Sequence, residues 1–337
     1  MVMLMTACGA GSHSPDATDA AMDAIGDGPA AVDCGTLAAT CGPMGNAPCC
    51  ESPVVDGGTF YRSYDVGTDN AYTDMSYPAT VSTFRLDKYE ITVGRFRRFV
   101  NAGMGTRQNP PTVGAGGRTL NGTANLGGWE ASFTGDLLAD RTALVAALKC
   151  DATHQTWTDT PGSNESRPMN CINWYEAMAF CAWDGGFLPT EAEWNYTAVG
   201  GSEQRAYPWS SPPTSLGLDD TRASYHCFGD NMTGCALNDL VPVGTKPAGD
   251  GRWGQSDLIG NVREWTLDWY EDPYPMSACN DCASLATPVG ILLRLLRGGG
   301  LFDTAGPNTP LRGAERLGGS TPTLRDVSFG ARCGRTP

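Results

Sequence analysis

The chain has 337 residues, a formal net charge of −14 and a hydrophobic content of 41%. This composition is typical of a globular protein with a sizeable buried core and excludes a disordered one. The acidic balance argues against binding to nucleic acid, because a phosphate backbone requires a basic face. It is compatible with calcium, which takes carboxylate and carbonyl oxygens as ligands.

The cysteine content is the second feature of the composition that carries information. Thirteen cysteines are many for a protein of a reducing compartment. Zinc is the alternative explanation, but the chain has only three histidines. The single C-x-x-C segment, Cys279–Cys282, also has no partner pair at zinc spacing. The cysteines therefore predict disulfides and an oxidising compartment.

Residues 1–8 read Met-Val-Met-Leu-Met-Thr-Ala-Cys, with two small residues before Cys8. This pattern resembles the cleavage site of a bacterial lipoprotein, so we interpret the segment as a signal remnant and Cys8 as a lipidated residue. The apolar stretch is short and no basic residue precedes it, as expected if the start codon is placed too far downstream. Lipidation of Cys8 would leave twelve of the thirteen cysteines, an even number that disulfides can absorb.

Two segments separate this N-terminus from the main domain. Residues 9–33 are rich in Ala, Asp, Gly and Ser, and they predict a flexible linker because they cannot bury enough apolar surface to order themselves. Residues 34–52 form a small Cys-rich segment for which we predict two disulfides. The sequence leaves their pairing open among Cys34, Cys41, Cys49 and Cys50.

The main domain is predicted over residues 53–337. Residues 83–91 alternate loosely and predict a strand, after which Thr92 can cap a helix. Residues 101–135 are rich in Gly, Asn, Thr and Pro without a clear period, and they predict a long loop of a kind that is usually functional or disordered. Residues 140–148 predict a short helix.

Two capping boxes predict the starts of two further helices. Asn173 with Glu176 forms the first box, and Thr190 with Glu193 forms the second. Beyond residue 199 the chain consists of short segments rich in Gly, Pro and aromatic residues, which predict ordered loop. The buried face of the first helix is predicted to contain Trp174, Ala177, Met178 and Cys181.

A set of short motifs follows in a fixed order along this domain. The most specific is Gly-Gly-Phe-Leu-Pro-Thr-Glu-Ala-Glu-Trp-Asn-Tyr at 185–196. The others lie at 84–92, 168–177, 207–209, 242–245, 258–265, 296–300, 312–316 and 330–333. Together they resemble the formylglycine-generating enzyme (sulfatase-modifying factor) family over nearly the whole chain after residue 53. The resemblance implies an α+β fold with a C-type-lectin-like core and low regular secondary structure.

The resemblance also implies a reaction. The active members of the family are copper-dependent oxidases that convert a cysteine in a Cys-x-Pro-x-Arg segment of a sulfatase to formylglycine. Their two catalytic cysteines follow an Arg-Gly-Gly-Ser motif, and an ungapped comparison from 297–300 places Asp303 and Asn308 at these positions. Neither side chain is a soft ligand for cuprous copper, and no cysteine lies between Cys282 and Cys333. We therefore expect no copper and no catalytic residues of the family's kind.

Disulfides are implied as well. In the family, a bridge staples the helix that contains Cys181 to the C-terminal segment that contains Cys333. A second family pair would need cysteines at Ala198 and Gly313, and both are missing. Some of the other cysteines could instead be free buried thiols. The further bridges that we predict are Cys150–Cys171, Cys227–Cys235 and Cys279–Cys282.

A calcium site also follows from the resemblance. In the family, the turn before the Gly-Asn-x-x-Glu-Trp motif wraps a calcium ion, and hard oxygen ligands from a tight turn suit this cation. The alternative is that Glu264 pairs with Arg263 or Arg252 and that nothing is bound. The implied ligands are the carboxylates of Asp257 and Glu264 and the backbone carbonyls of Gly260 and Val262.

The tryptophans allow a further interpretation. They could line a sugar-binding groove, but in a domain with so little regular structure they are more often part of the core. The three histidines show no signature of a catalytic triad. The tryptophans concerned are Trp129, Trp157, Trp183, Trp194, Trp209, Trp253, Trp265 and Trp269.

Two functions are consistent with these features. The first is a calcium-stabilised binding or structural module that is secreted or held at the bacterial envelope, touches the membrane only through a lipid anchor and recognises an unknown protein or glycan. The second is a formylglycine-generating oxidase acting on sulfatase cysteines, or a related oxidoreductase with altered catalysis. The missing thiols favour the first, because function is argued from the site and not from the fold.

Overall fold

The computed structural model describes residues 40–290, 292–316 and 318–337. The predicted signal remnant with Cys8, the predicted linker and Cys34 lie outside these residues. The α-helices are α1 (Val93–Asn101), α2 (Arg141–Ala147), α3 (Trp174–Trp183) and α4 (Glu191–Ala198). The strands are β1 (Val54–Val55), β2 (Gly58–Tyr61), β3 (Pro78–Val81), β4 (Phe84–Leu86), β5 (Arg118–Leu120), β6 (Thr123–Leu126), β7 (Arg263–Trp269), β8 (Cys279–Asn280), β9 (Arg294–Arg297), β10 (Gly319–Ser320), β11 (Phe329–Gly330) and β12 (Gly334–Arg335).

The helices begin at the residues that the sequence predicts. In α3 the Asn173 side chain accepts from the Glu176 amide at 3.0 Å, and the Glu176 carboxylate accepts from the Asn173 amide at 3.2 Å. The box of Thr190 and Glu193 at the start of α4 is closed in the same reciprocal way. Each box satisfies two amides that a helix N-terminus would otherwise leave unpaired. Thr92 caps α1 as predicted.

The long loop predicted over 101–135 is wrong in part. The segment contains the hairpin of β5 and β6 and a 3-10 helix, Ala131–Asp136. Asn121 and Gly122 join the two strands with φ values of 51° and 73°. This is the conformation of the tight two-residue turn that favours Asn-Gly, so the sequence did contain a hairpin signal. The strand predicted over 83–91 is also shorter than expected and covers only β4.

The strands form small sheets around one long central strand. β7 is buried along nearly its whole length and pairs antiparallel with β9 and parallel with β11, in the sheet order β10-β9-β7-β11. A second sheet, β1-β4-β12, joins the start of the domain to its C-terminal residues. The sheets β2-β3-β8 and β5-β6 complete the α+β architecture. Regular structure is sparse, as the family resemblance implied.

The core lies between α1, α3 and the central sheet. Phe96 and Phe99 of α1 and Phe180 of α3 are fully buried, and each pair of these rings lies 5.2–5.6 Å apart between centroids. Trp129, Trp157, Trp194, Trp265 and Trp269 are buried, whereas Trp183, Trp209 and Trp253 are partly buried. The tryptophans therefore belong mainly to the core.

The described part of the Cys-rich segment packs onto the domain. Cys41 and Cys49 form a disulfide with a Cα–Cα distance of 5.2 Å, and both are buried with Tyr89 and Val243. The Gly42 amide donates to the Val243 carbonyl at 3.0 Å. Cys50 is also disulfide-bonded. Residues 40–52 thus share a core with the domain that follows them.

The four disulfides expected in the domain are all present. Cα–Cα distances run from 4.7 to 5.7 Å, within the usual range for a bridge. Disulfides are typical of proteins that mature in an oxidising compartment. Within the described residues, no helix is both long and apolar enough to cross a membrane. The four pairs are Cys150–Cys171, Cys181–Cys333, Cys227–Cys235 and Cys279–Cys282.

The lengths of the loops that the disulfides close give a stability prediction. The Cys181–Cys333 bridge spans 152 residues, and the Cys227–Cys235 bridge spans 8. The chain-entropy account predicts that Cys181→Ala/Cys333→Ala lowers the free energy of unfolding by roughly 5 kcal/mol, against about 2–3 kcal/mol for Cys227→Ala/Cys235→Ala. Urea unfolding of both variants measures the difference, and an equal or smaller loss for the long bridge would contradict it.

Candidate functional site

The turn after β9 is the structural centre of the region where the family has its thiols. β9 ends at Arg297, whose buried side chain donates from Nη2 to Glu191 Oε1 at 2.6 Å. Gly298 follows with φ +91°, and a Cβ atom there would lie 2.7 Å from the Leu258 carbonyl oxygen. Only glycine fits both the left-handed conformation and this close approach. The ion pair and the glycine fix the course of the chain into residues 299–308.

Asp303 is held in this turn by an ion pair. Its carboxylate accepts from Arg263 Nε at 3.0 Å and from Arg263 Nη2 at 2.5 Å. It also accepts from the backbone amide of Gly300 at 2.8 Å. The side chain is 13% exposed, so this bidentate pair is largely shielded from solvent. At the first of the two family positions, the chain therefore places a hard carboxylate that is already neutralised by a guanidinium.

The second position differs in environment. Asn308 is exposed, and its side chain makes no hydrogen bond within the described parts of the chain. The neighbouring Thr309 is buried, and its hydroxyl donates to the Thr304 carbonyl at 2.6 Å. The structure thus anchors the backbone beside Asn308 but does not join Asn308 to Asp303 in one hydrogen-bonded unit.

The cavity next to Arg263 is small. A void of ≈ 10 Å³ lies between Arg263, the turn at 297–299, Pro310 and Glu315. A space of that size holds about one water molecule. Every cysteine in the described ranges is disulfide-bonded, so these residues offer no free thiol near the void or elsewhere.

The turn predicted to bind calcium is buried and acidic. Asp257 accepts from the Gly244 amide at 2.6 Å, and burial raises the pKa of its carboxyl to about 6. Burial also raises the pKa of Glu90 well above its ordinary value, and the charges of Asp257 and Glu264 add to this rise. Glu90, which no sequence motif marks as a site residue, accepts from the Val262 amide at 3.2 Å.

Glu264 forms its ion pair with Arg332, and not with Arg263 or Arg252. Arg332 donates to both of its carboxylate oxygens at 2.7–2.9 Å, and the Trp194 indole donates to Oε2 at 2.9 Å. Arg263 pairs with Asp303, and Arg252 pairs with Glu203. In this arrangement Glu264 does not fit a calcium ion, because Arg332 already neutralises it.

The same turn contains the other oxygen atoms that could bind calcium. Gly260 and Val262 supply backbone carbonyls in the same turn, and Gly260 has φ +86°. Between them, the buried side-chain oxygen of Asn261 has no hydrogen-bond partner in the part of the chain that the structure describes. An unpaired buried acceptor is costly, and a cation would relieve it. In the described residues, no group of three or more His, Cys, Asp or Glu side chains converges on one point.

A second, larger pocket that is open to solvent has Tyr274 in its wall. It has a volume of ≈ 310 Å³, and tyrosines and two arginines line it. Tyr274 lies between Arg62 and Arg316, at 4.2 and 3.8 Å from its ring centroid, and its hydroxyl donates to Glu191 at 2.9 Å. No sequence pattern marks this pocket, because its residues come from four separate segments of the chain.

A buried carboxyl, Asp268, lines a small void that shares Arg62, Tyr274 and Arg316 with this pocket. Asp268 accepts from the backbone amides of Glu191 and Ser284, both at 2.7 Å. Burial raises the pKa of Asp268 to about 7, and the charges of Glu191 and Glu193 add to the rise, whereas the two amides oppose it. The carboxyl therefore changes its protonation close to neutral pH.

The amino-acid sequence of the chain is similar to those of several known proteins. The formylglycine-generating enzyme of Mus musculus is 28% identical over 233 residues, which are 61% of this chain and 56% of that protein. The inactive C-alpha-formylglycine-generating enzyme 2 of Bos taurus is 27% identical over 315 residues, which are 87% of this chain and 92% of that protein. The chain thus spans about half the length of the first relative and nearly all of the second.

Solved structures agree on the fold. PvdO from Pseudomonas aeruginosa superposes with a TM-score of 0.56 at 20% identity, over 85% of this chain and 94% of that one. The variable protein 1 of Treponema denticola gives 0.51 at 18% identity, over 85% and 95%. The sulfatase-modifying factor enzyme 1-like domain matches residues 39–337. The chain therefore belongs to the sulfatase-modifying factor enzyme 1-like domain family.

Proposed function

We propose that this chain is a binding or structural module that uses the family scaffold without the family's copper-oxidase reaction. The observation that carries the proposal is the ion pair of Asp303 with Arg263 at the first thiol position. A cuprous ion prefers soft sulfur ligands, whereas this site offers a carboxylate that a guanidinium already neutralises. Function within one fold is decided by such site residues.

Among the relatives are proteins named as inactive and proteins named as enzymes. The Bos taurus relative is named inactive, and it covers more of this chain than the Mus musculus enzyme does. Oxidation with altered catalysis is the second candidate. It is favoured by the hercynine oxygenase of Mycolicibacterium smegmatis, which is 27% identical over 64% of this chain and 45% of that protein. The family scaffold therefore accompanies more than one chemistry.

The location of the module is part of the proposal. The disulfides support an oxidising compartment, and Cys8 would attach the chain to the bacterial envelope. Lipidation at Cys8 predicts incorporation of labelled palmitate in the native host. A Cys8→Ala chain that incorporates as much label as the natural chain would refute the anchor.

Calcium is the remaining element of the proposal. Asp257, the carbonyls of Gly260 and Val262, and the unpaired Asn261 oxygen are the groups of this turn that would hold the ion. The excess of buried acid also favours a cation, since Glu90, Asp257 and Glu264 share one arginine, Arg332. The bound ion would supply a positive charge that stabilises the turn.

The absence of oxidase chemistry is testable with a peptide substrate. Copper-loaded protein, mixed in air with a Cys-x-Pro-x-Arg peptide and a reductant, is expected to form no aldehyde, because Asp303 and Asn308 cannot do thiol chemistry. Mass spectrometry of the hydrazone-trapped peptide measures the product, and the Mus musculus enzyme serves as the positive control. Aldehyde above the level given by copper alone would contradict the proposal.

Calcium binding is testable by thermal unfolding. A chelator is expected to lower the melting temperature of the natural chain by several degrees, because a ligand present at about 100 times its Kd stabilises by roughly 2.7 kcal/mol. Asp257→Ala is expected to abolish this response. Asp56→Ala is the matched control, since Asp56 is exposed and lies outside the turn, and it should keep the full response. An unchanged melting temperature in the natural chain would refute the site.

A further inference from the structure

An apolar pocket lies between the hairpin region and α3, away from Asp303. Its volume is ≈ 290 Å³, close to the lower end of the roughly 300–1,000 Å³ that small-molecule sites occupy. Leu126, Trp129 and Phe133 line one side, and Trp174 and Met178 of α3 line the other. The hairpin and the 3-10 helix thus complete a cavity that the sequence did not predict.

The walls of this pocket are largely aromatic. Phe133 meets Trp129 edge-on at 5.7 Å between centroids and meets Trp174 edge-on at 5.4 Å. Trp129 and Trp174 are almost completely buried by the protein, so they hold the partly exposed Phe133 ring in a fixed orientation. Rigid ring edges and faces favour a flat aromatic ligand, which gains packing contacts at little entropic cost.

One cation lies at the end of the pocket. Arg294 is 4% exposed, and its guanidinium is stacked between Trp174 and Trp269 at 3.8 and 3.6 Å from the ring centroids. Nη1 donates to the Leu267 carbonyl at 2.6 Å. Nε is buried without a partner, and across the described ranges no carboxylate lies within ion-pair distance of Arg294.

A buried cation without an ion-pair partner is electrostatically unfavourable. Burial lowers the pKa of Arg294 to about 9, and the charge of Asp268 opposes the shift, so the group is still protonated at neutral pH. The two tryptophan faces compensate in part through cation–π attraction. An anion in the pocket would complete the compensation, because a charge-assisted hydrogen bond to a buried guanidinium is strong.

A negative side chain at the pocket, Glu130, limits the number of negative charges that the ligand can carry. Glu130 lines the pocket and is exposed, and its charge acts on Arg294 from a distance. A second negative charge on a ligand would meet Glu130 without a second cation to compensate it. The charge pattern therefore favours a ligand with a single carboxylate.

We propose that this pocket binds a small aromatic compound with one carboxylate group, its ring against the partly exposed Leu126 and Phe133 and its carboxylate at Arg294. This inference deepens the proposal of a binding module and rests on it. The two fail separately, since aldehyde formation depends on the region of Asp303 and ligand binding depends on the pocket.

Indole-3-acetate and its uncharged analogue indole-3-acetamide are matched probes for this site. Isothermal titration of the full chain is expected to show the acid binding at least tenfold more tightly than the amide. Arg294→Gln should reduce this preference to about one, and Arg107→Gln, which changes an exposed arginine that does not line the pocket, should leave it unchanged. Equal affinities of the natural chain for the two probes, or no binding of either below millimolar concentration, would overturn the proposal.

Two further variants keep the proposal testable if Arg294→Gln does not fold. Glu130→Gln should tighten binding of the acid severalfold and leave the amide unchanged, because it removes the competing charge. Leu126→Trp should fill the cavity and abolish binding of both probes, with circular dichroism confirming the fold. Unaltered acid binding in both of these folded variants would place the probe elsewhere on the protein and refute the assignment.

Discussion

The buried ion pair between Arg332 and Glu264 holds the domain together. Beyond the bonds to Glu264, Arg332 donates from Nη1 to the carbonyls of Asp87 and Lys88 at 3.2 and 3.0 Å and from Nη2 to the Ser256 carbonyl at 2.9 Å. These bonds join the residues after β4, the acidic turn and β7 to the C-terminal segment. Breaking one partner of such a pair typically costs about 3–5 kcal/mol, because the other charge is left buried and alone. The adjacent Cys181–Cys333 bridge fixes the same segment to α3 covalently.

This scaffold does not depend on the residues at the family's thiol positions. Asp303 contacts Arg263 and Gly300 at the end of the central sheet and takes no part in the Arg332 network. The fold also forms without the family's second disulfide, which would join positions 198 and 313. The chain packs closely there, since a Cβ atom on Gly313 would lie 3.3 Å from the backbone of Ala198. Close packing takes the place of that bridge. The fold can therefore persist while the chemistry at its surface changes, which is the general relation between folds and sites.

The features that could be predicted from the sequence are those whose determining interactions are local. The capping boxes of α3 and α4 depend on residues three apart, so their chemistry is visible in the sequence. The motif order gave the family and its fold, and the short local cysteine spacings gave three of the bridges. The β5–β6 hairpin was missed although its Asn-Gly turn was visible, because glycine and proline around it obscured the strand pattern.

The rest depends on long-range contacts that no local pattern encodes. The partner of Glu264 lies 68 residues away, and Arg294 is stacked between tryptophans of α3 and β7. Burial raises the pKa of Asp268 and of Glu90. Because burial arises only in the assembled fold, these shifts cannot be predicted from the local sequence. Sequence therefore located the two positions that correspond to the family's thiols, Asp303 and Asn308, and the structure was needed to find the pockets.

The central claim is that the scaffold survives without a soft metal site. The most direct test is the affinity of the purified chain for Cu(I), measured by competition with a chromophoric chelator such as bathocuproine disulfonate under anaerobic conditions. With Asp303 bound to Arg263 and the described cysteines in disulfides, the chain is predicted to leave all of the copper with the chelator. One equivalent of Cu(I) retained against the chelator would contradict it.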